Sequence, residues 1–165
     1  MNLEIEGWMT EKELAWLAEQ AKTHYIIIEI GSFLGRSTRV LGENTPGVVY
    51  AIDDWKGGHD PSIPKRDYYP EFEVNLHDLI AAGKVAPVHA DHGAADLDFE
   101  PDMVFIDGEH TYEAVVRDIE KWMARMPTGL LCGHDGDYHP VNQAIHQLVL
   151  GFQFVEGTTI WFKEL

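Results

Sequence analysis

Residues able to do chemistry collect at the ends of short apolar runs: Glu29-Ile30-Gly31, Asp53-Asp54, Asp91-His92, Asp107-Gly108-Glu109-His110 and His134-Asp135. Glycines at 31 and 35 permit a tight turn and a close backbone approach between a strand and the helix that follows it. A dinucleotide-binding turn needs Gly-x-Gly-x-x-Gly to bring a pyrophosphate onto the helix amides. Here Phe33 replaces the second glycine, and Glu29 places a carboxylate beside the turn. That charge opposes a pyrophosphate and attracts a positively charged ligand. Asp53 follows Gly31 by 22 residues, close to the spacing of about 20 at which an acid accepts both hydroxyls of an adenosine ribose.

The elements that must position these groups read as an alternation of strands and helices, without internal repeats. Thr10-Glu11-Lys12-Glu13 is a capping box opening a helix through Leu14, Leu17, Ala18 and Ala21. Residues 25–30 form a β-branched run too short for a helix, hence a buried strand ending at Gly31. A short helix starts near Arg36, and residues 48–52 are a second strand stopped by Asp53. Residues 56–70, with Gly57, Gly58 and three prolines, read as a loop or lid. A helical stripe from Phe72 to Ile80 follows, then a strand over 85–89 in which Pro87 predicts an edge position. A strand at 103–106, a helix through Val115 to Met123, a strand at 130–132 and a helix from Val141 to Val149 complete the alternation. Two closing strands near 152–155 and 158–162 form a hairpin around Glu156-Gly157. The expectation is an α/β fold over residues 1–165: a Rossmann-like doubly wound sheet of seven strands, mostly parallel, closed by a C-terminal antiparallel hairpin strand. Ligands of such sheets sit at the carboxyl ends of the strands, where the acids and glycines have collected.

Composition narrows the function classes. Twelve Lys+Arg against 28 Asp+Glu give a net charge of −16, which repels phosphate backbones and anionic lipid and predicts neither a nucleic-acid nor a membrane partner. A single cysteine, Cys132, leaves no internal disulfide, and Met1–Trp8 lacks a basic n-region; the expected compartment is the cytoplasm. Apolar residues on both faces around Trp161 suggest burial at a homodimer contact.

Taken together, Glu29-x-Gly31-x-x-x-Gly35-x-Ser37-Thr38, the Asp53 closing strand two, Phe105-Ile106-Asp107-Gly108-Glu109-His110-Thr111-Tyr112-Glu113 and Gly133-His134-Asp135 resemble the class I S-adenosylmethionine-dependent methyltransferases. The closest group is the small set related to macrocin-type O-methyltransferases and cephalosporin-hydroxylase-type proteins. The resemblance covers residues 25–163 and implies a set of roles. Gly31, Ser32, Gly35 and Ser37 would pass the methionine part of S-adenosyl-L-methionine, with Glu29 and Asp107 nearby. Asp53, flanked by Asp54, would hold the ribose hydroxyls. Asp91 would take the adenine amino group, with His92 or Trp55 against the ring. Asp107, His134 and Asp135 fall where related O-methyltransferases hold a divalent ion, Mg²⁺ or Mn²⁺; the imidazole favours the latter.

Methyl transfer to a hydroxyl also requires loss of the hydroxyl proton. His110, three residues past Asp107, is the predicted base, with His139 in reserve; Tyr112 and Tyr138 would line the acceptor side. The expected function is methyl transfer from S-adenosylmethionine to a small-molecule hydroxyl, assisted by a divalent metal. The alternatives are a cofactor-binding regulatory or structural protein without turnover and a metal-dependent hydrolase or hydroxylase. A nicotinamide oxidoreductase comes last, since the phosphate-binding glycines are missing.

Overall fold

The computed structural model describes residues 4–58, 62–90, 95 and 97–165. As the capping box predicts, the chain enters α1 (Glu11–Ala21) with the Thr10 hydroxyl accepting from the Glu13 amide while the Glu13 carboxylate accepts from the Thr10 amide at 2.8 Å. The alternation then runs β1 (Ile26–Ile30), α2 (Arg36–Asn44), β2 (Val48–Asp53), α3 (Tyr69–Ala81), β3 (Val85–His89), β4 (Met103–Ile106), α4 (Tyr112–Arg125), β5 (Leu130–Gly133), α5 (His139–Leu148), β6 (Gln153–Phe154) and β7 (Trp161–Glu164). The strands form one seven-stranded sheet in the order β3-β2-β1-β4-β5-β7-β6. β1 to β5 pair in parallel, whereas β7 runs antiparallel to β5 and β6. Pro87, which has no amide to give, lies in β3 at one sheet edge, as expected.

Helices cover both faces, so the inner strands are mostly apolar, with Glu29 a buried exception in β1. Alternate residues feed two cores. Ile27, Val49, Met103, Phe105 and Leu130 pack under α1, α2 and α3; Ile28, Ile30, Ile52, Val104, Ile106 and Leu131 pack under α4 and α5.

The C-terminal pair departs from expectation in extent. β6 keeps only two residues and β7 starts at Trp161, because Val155–Ile160 close a wide turn held by the Val155 amide on the Ile160 carbonyl and by the Thr158 amide on the Val155 carbonyl. Trp161 is fully buried within the chain itself, its indole against Gly133 and Gly136, so its apolar character needs no second copy. Within the 56–70 segment the described residues fold back on themselves. Tyr68 and Arg66 donate backbone bonds to the Trp55 and Lys56 carbonyls, and Tyr68 is buried. Among the described residues no helix is long and apolar enough to cross a membrane.

Candidate functional site

Sheet register brings the strand ends level. Ile30 pairs with Ile52 and with Ile106, and Ile106 pairs with Gly133. The next residues, Gly31, Asp53, Asp107 and His134, therefore emerge side by side at the carboxyl edge, where the chain order reverses across β1. A cavity of about 770 Å³ opens there, within the roughly 300–1,000 Å³ of small-molecule sites. Gly31, Ser32, Ser37, Asp53 and Trp55 form one side of its described lining, and Asp107, His110, His134 and Asp135 the other.

The turn after β1 needs its two glycines for packing. Gly31 has φ +85°, and a Cβ there would collide with the Asp107 carbonyl and the Gly108 Cα. Gly35 has φ +90°, and a Cβ there would run into the Leu76 side chain from α3. Between them Phe33 is held at φ 44°, an uncommon conformation for a non-glycine residue. Asp53 fixes that geometry: its Oδ2 accepts from the Phe33 amide at 2.9 Å and its Oδ1 from the Trp55 amide at 2.7 Å. The Trp55 indole donates to the Phe33 carbonyl at 2.8 Å and packs edge-on to Tyr69. Each Asp53 oxygen keeps a further lone pair for a ligand hydroxyl.

Glu29 lies behind this turn and does not line the cavity. Strand alternation points it under α2, fully buried, where Ser32 (2.8 Å) and Thr38 donate to Oε2. Its Oε1 makes no hydrogen bond. Burial raises its pKa from 4.5 to about 7, against the lowering effect of the Ser37, Thr38 and Ser32 hydroxyls. The Glu29 carboxyl is therefore poised between acid and anion near neutral pH beneath the Ser32–Ser37 wall, and a cationic ligand on that side would favour the anion.

On the opposite wall two imidazoles bracket two carboxylates. His134 Nδ1 lies 3.4 Å from both Asp107 Oδ1 and Asp135 Oδ2. His110 Nε2 approaches the same two oxygens at 3.5 and 3.1 Å. Asp135 reaches its position through a left-handed backbone, φ 51°. Burial opposes a charged imidazole, yet the two aspartates outweigh it and raise His110 to about 10 and His134 to about 11. The His110 and His134 imidazoles paired with it hold the Asp135 carboxyl well below the usual range. His110 is thus held toward the cation while the two aspartates face it alone, whereas a general base must be able to lose its proton near the working pH. Asp107, His134 and Asp135 offer ligand atoms within 4.8 Å of one another, and one imidazole with two carboxylates is a donor set that fits a divalent ion.

Of the remaining candidates, Gly35 and Asp54 stand outside the cavity lining; Asp54 Oδ1 accepts from the Lys56 amide at 2.9 Å. Trp55 lines the cavity but is buried in an aromatic cluster with Phe72 and His89. Asp91 and His92 lie outside the described residues. Tyr138 lines the cavity, its ring 6.4 Å from that of His110; Tyr112 instead donates to Gln147 at 2.6 Å. Sequence reasoning misses the N-terminal segment: Glu6, Gly7, Trp8 and Met9 close one end of the cavity, with Trp8 5.3 Å from the Phe33 ring. The available signal is a tryptophan just before the first capping box. Glu13, legible in the sequence only as a cap, also has its Oε1 3.3 Å from His134 Nε2.

The family described as "Methyltransferase domain" matches residues 28–136, the span that holds all four cavity-forming strand ends. Among solved structures, the chain is similar to an S-adenosylmethionine-dependent O-methyltransferase from Thermotoga maritima, with 16% identity, TM-score 0.73, and 99% of this chain on 68% of that one. An O-methyltransferase from Bacillus cereus in complex with S-adenosylhomocysteine superposes at TM-score 0.66, with 14% identity, 94% of this chain and 80% of that one. An rRNA methylase from Streptococcus thermophilus gives TM-score 0.63, 16% identity, and 95% and 96% coverage. At these identities the likeness is one of fold.

Proposed function

This chain belongs to the methyltransferase-domain family, and from that membership we propose that it transfers the methyl group of S-adenosylmethionine to a hydroxyl of a small molecule, with a divalent ion assisting. One observation carries the reading: a single cavity joins Asp53, the acid closing β2, to the Asp107–His110–His134–Asp135 cluster across the switch point of the sheet. When bound, S-adenosylmethionine supplies an electrophilic methyl on a cationic sulfur.

The chain's own residues do the rest. Asp53 accepts the ribose hydroxyls on the lone pairs its two backbone bonds leave free. Glu29, beneath Ser32 and Ser37, supplies negative potential toward the cationic half of the ligand to the extent that this cation draws its proton off. The Trp8–Phe33 side of the lining would hold the acceptor, and such alignment of two reactants supplies about 7–11 kcal/mol of a barrier. Asp107, His134 and Asp135 would hold the divalent ion, which lowers the pKa of a hydroxyl beside it. His110 stands over the same carboxylates and would take the hydroxyl proton, the bound ion there offsetting the field that otherwise keeps it charged.

A ribosomal RNA acceptor, suggested by the likeness to the Streptococcus thermophilus rRNA methylase, is disfavoured by the net charge of −16. The test is calorimetric titration of wild type and Asp53→Asn with S-adenosylmethionine and S-adenosylhomocysteine, with and without Mn²⁺, followed by label transfer to a panel of phenols, sugars and RNA. Micromolar binding by wild type, lost in Asp53→Asn, with transfer to a small hydroxyl compound, is expected. No cofactor binding overturns the reading, and transfer to RNA alone overturns the acceptor class.

A further inference from the structure

We propose that Glu13, which stands outside the cavity on α1, is a positioning residue for His134: it holds the imidazole with Nδ1 turned to Asp107 and Asp135 as a donor for a divalent transition-metal ion. The inference rests on the metal-assisted reading above. Glu13 is 3% exposed, and its two oxygens are divided between separate tasks. Oε2 closes the capping box, accepting from the Thr10 amide and hydroxyl at 2.8 Å each. Oε1 accepts from the Thr159 amide at 3.0 Å and the Thr159 hydroxyl at 3.1 Å, and lies 3.3 Å from His134 Nε2.

A cap alone needs one oxygen and leaves the side chain in solvent. Here the second oxygen ties three distant parts of the chain together: the start of α1, the β6–β7 turn and the end of β5. An imidazole has two distinct nitrogens, and the hydrogen bond made by one fixes what the other presents. With its Nε2 proton held on Glu13, His134 can offer only Nδ1 to the cavity, and that atom lies 3.4 Å from each aspartate oxygen. The other tautomer would set a bare Nε2 lone pair against the Glu13 carboxylate and be repelled, and a flipped ring would put carbon in place of both nitrogens. A carboxylate behind a ligating histidine also raises the basicity of the donor nitrogen. An imidazole beside two carboxylates suits Mn²⁺, Fe²⁺ or Co²⁺ better than the hard Mg²⁺ ion.

The test titrates Mn²⁺ and Co²⁺ into the full chain by calorimetry and records the visible Co²⁺ spectrum for wild type, Glu13→Gln and Thr10→Ala. Thr10→Ala loosens the same helix end without touching Oε1. Wild type is expected to bind both ions. Glu13→Gln is expected to bind them about 10–100-fold more weakly with altered Co²⁺ bands, the usual effect of removing such a partner, while Thr10→Ala keeps wild-type affinity and spectrum. If Glu13→Gln does not fold, Glu13→Asp, which keeps the charge but withdraws it by one methylene, is read the same way. Wild-type affinity in the Glu13 variant, or an equal loss in Thr10→Ala, overturns the positioning role and leaves the metal reading standing. Failure of wild type to bind either ion overturns both.

Discussion

Replacing Glu29 by glutamine is expected to stabilise the protein at neutral and higher pH and to have a much smaller effect in acid. The folded state holds the Glu29 proton more tightly than the unfolded chain, with a pKa raised from 4.5 to about 7 by complete burial. A raised pKa contributes stability that is fully present below the unfolded value and lost as pH rises through the folded one. Two and a half pH units at 1.36 kcal/mol each come to about 3 kcal/mol. Roughly 2 kcal/mol of this falls between pH 5.5 and 8, a range clear of the sequence pI of about 4.7. Glutamine does not titrate, so the stability of the variant relative to wild type should rise by that amount over the range. The change corresponds to roughly 4–8 °C in relative Tm for a chain of this size. Urea unfolding of both proteins at several pH values measures it. Using the difference cancels the titrations of His110, His134 and Asp135, and the hydrogen bonds that glutamine makes less well add only a constant offset. A difference that stays flat from pH 5.5 to 8 would refute the reasoning: it would mean that Ser32, Ser37 and Thr38 solvate the anion fully and that burial leaves no mark.

Two further outcomes follow from the same geometry. Gly35→Ala places a side chain at φ +90° against Leu76, and should cost roughly 2–4 kcal/mol in urea unfolding, or prevent folding; an unchanged midpoint would show that α3 moves aside freely. The pairing of His110 and His134, raised to about 10 and 11, contributes stability that is complete below pH 6.5 and is lost as pH climbs through those values. Asp135, lowered, contributes above its ordinary 3.8 and loses that contribution as pH falls. The stability gap between wild type and Asp135→Asn should therefore be widest between about pH 4 and 6.5 and close toward pH 10; a gap that widens above pH 8 would contradict the ion pairs.

Much of the architecture is open to reading because it depends on local pattern. Ile26–Ile30 and Met103–Ile106 are strands whose buried faces lie under helices on both sides of the sheet, and only a strand covered on both faces tolerates so apolar a run. Thr10 and Glu13 satisfy each other three residues apart, and Asp53 sits one strand and one helix beyond Gly31 whatever the rest of the chain does. Sequence reasoning assigns Gly31 and Gly35 to a tight turn and a close approach of strand and helix; only the structure shows which groups crowd them, the Asp107 carbonyl at Gly31 and the Leu76 side chain at Gly35.

Other features need the fold. Thr159 reaches Glu13 from 146 residues away, and no periodicity links a helix cap to a turn near the C-terminus. Trp8 joins the cavity because the chain before α1 lies against Phe33, a contact made by side-chain packing between segments that are not neighbours in sequence. The extent of β7 escapes the sequence because Thr158 satisfies the turn locally, and alternation alone cannot tell such a turn from the start of a strand. Residue types and their order along the chain suffice to say which groups can carry charge or donate to a ligand, and in what succession they leave the sheet. Charge states come from tertiary structure alone. Glu29 is pushed toward neutrality and His110 toward the cation by the same physics: desolvation and Coulomb energy depend on burial and on separations of a few ångströms, and neither quantity exists until the chain has folded.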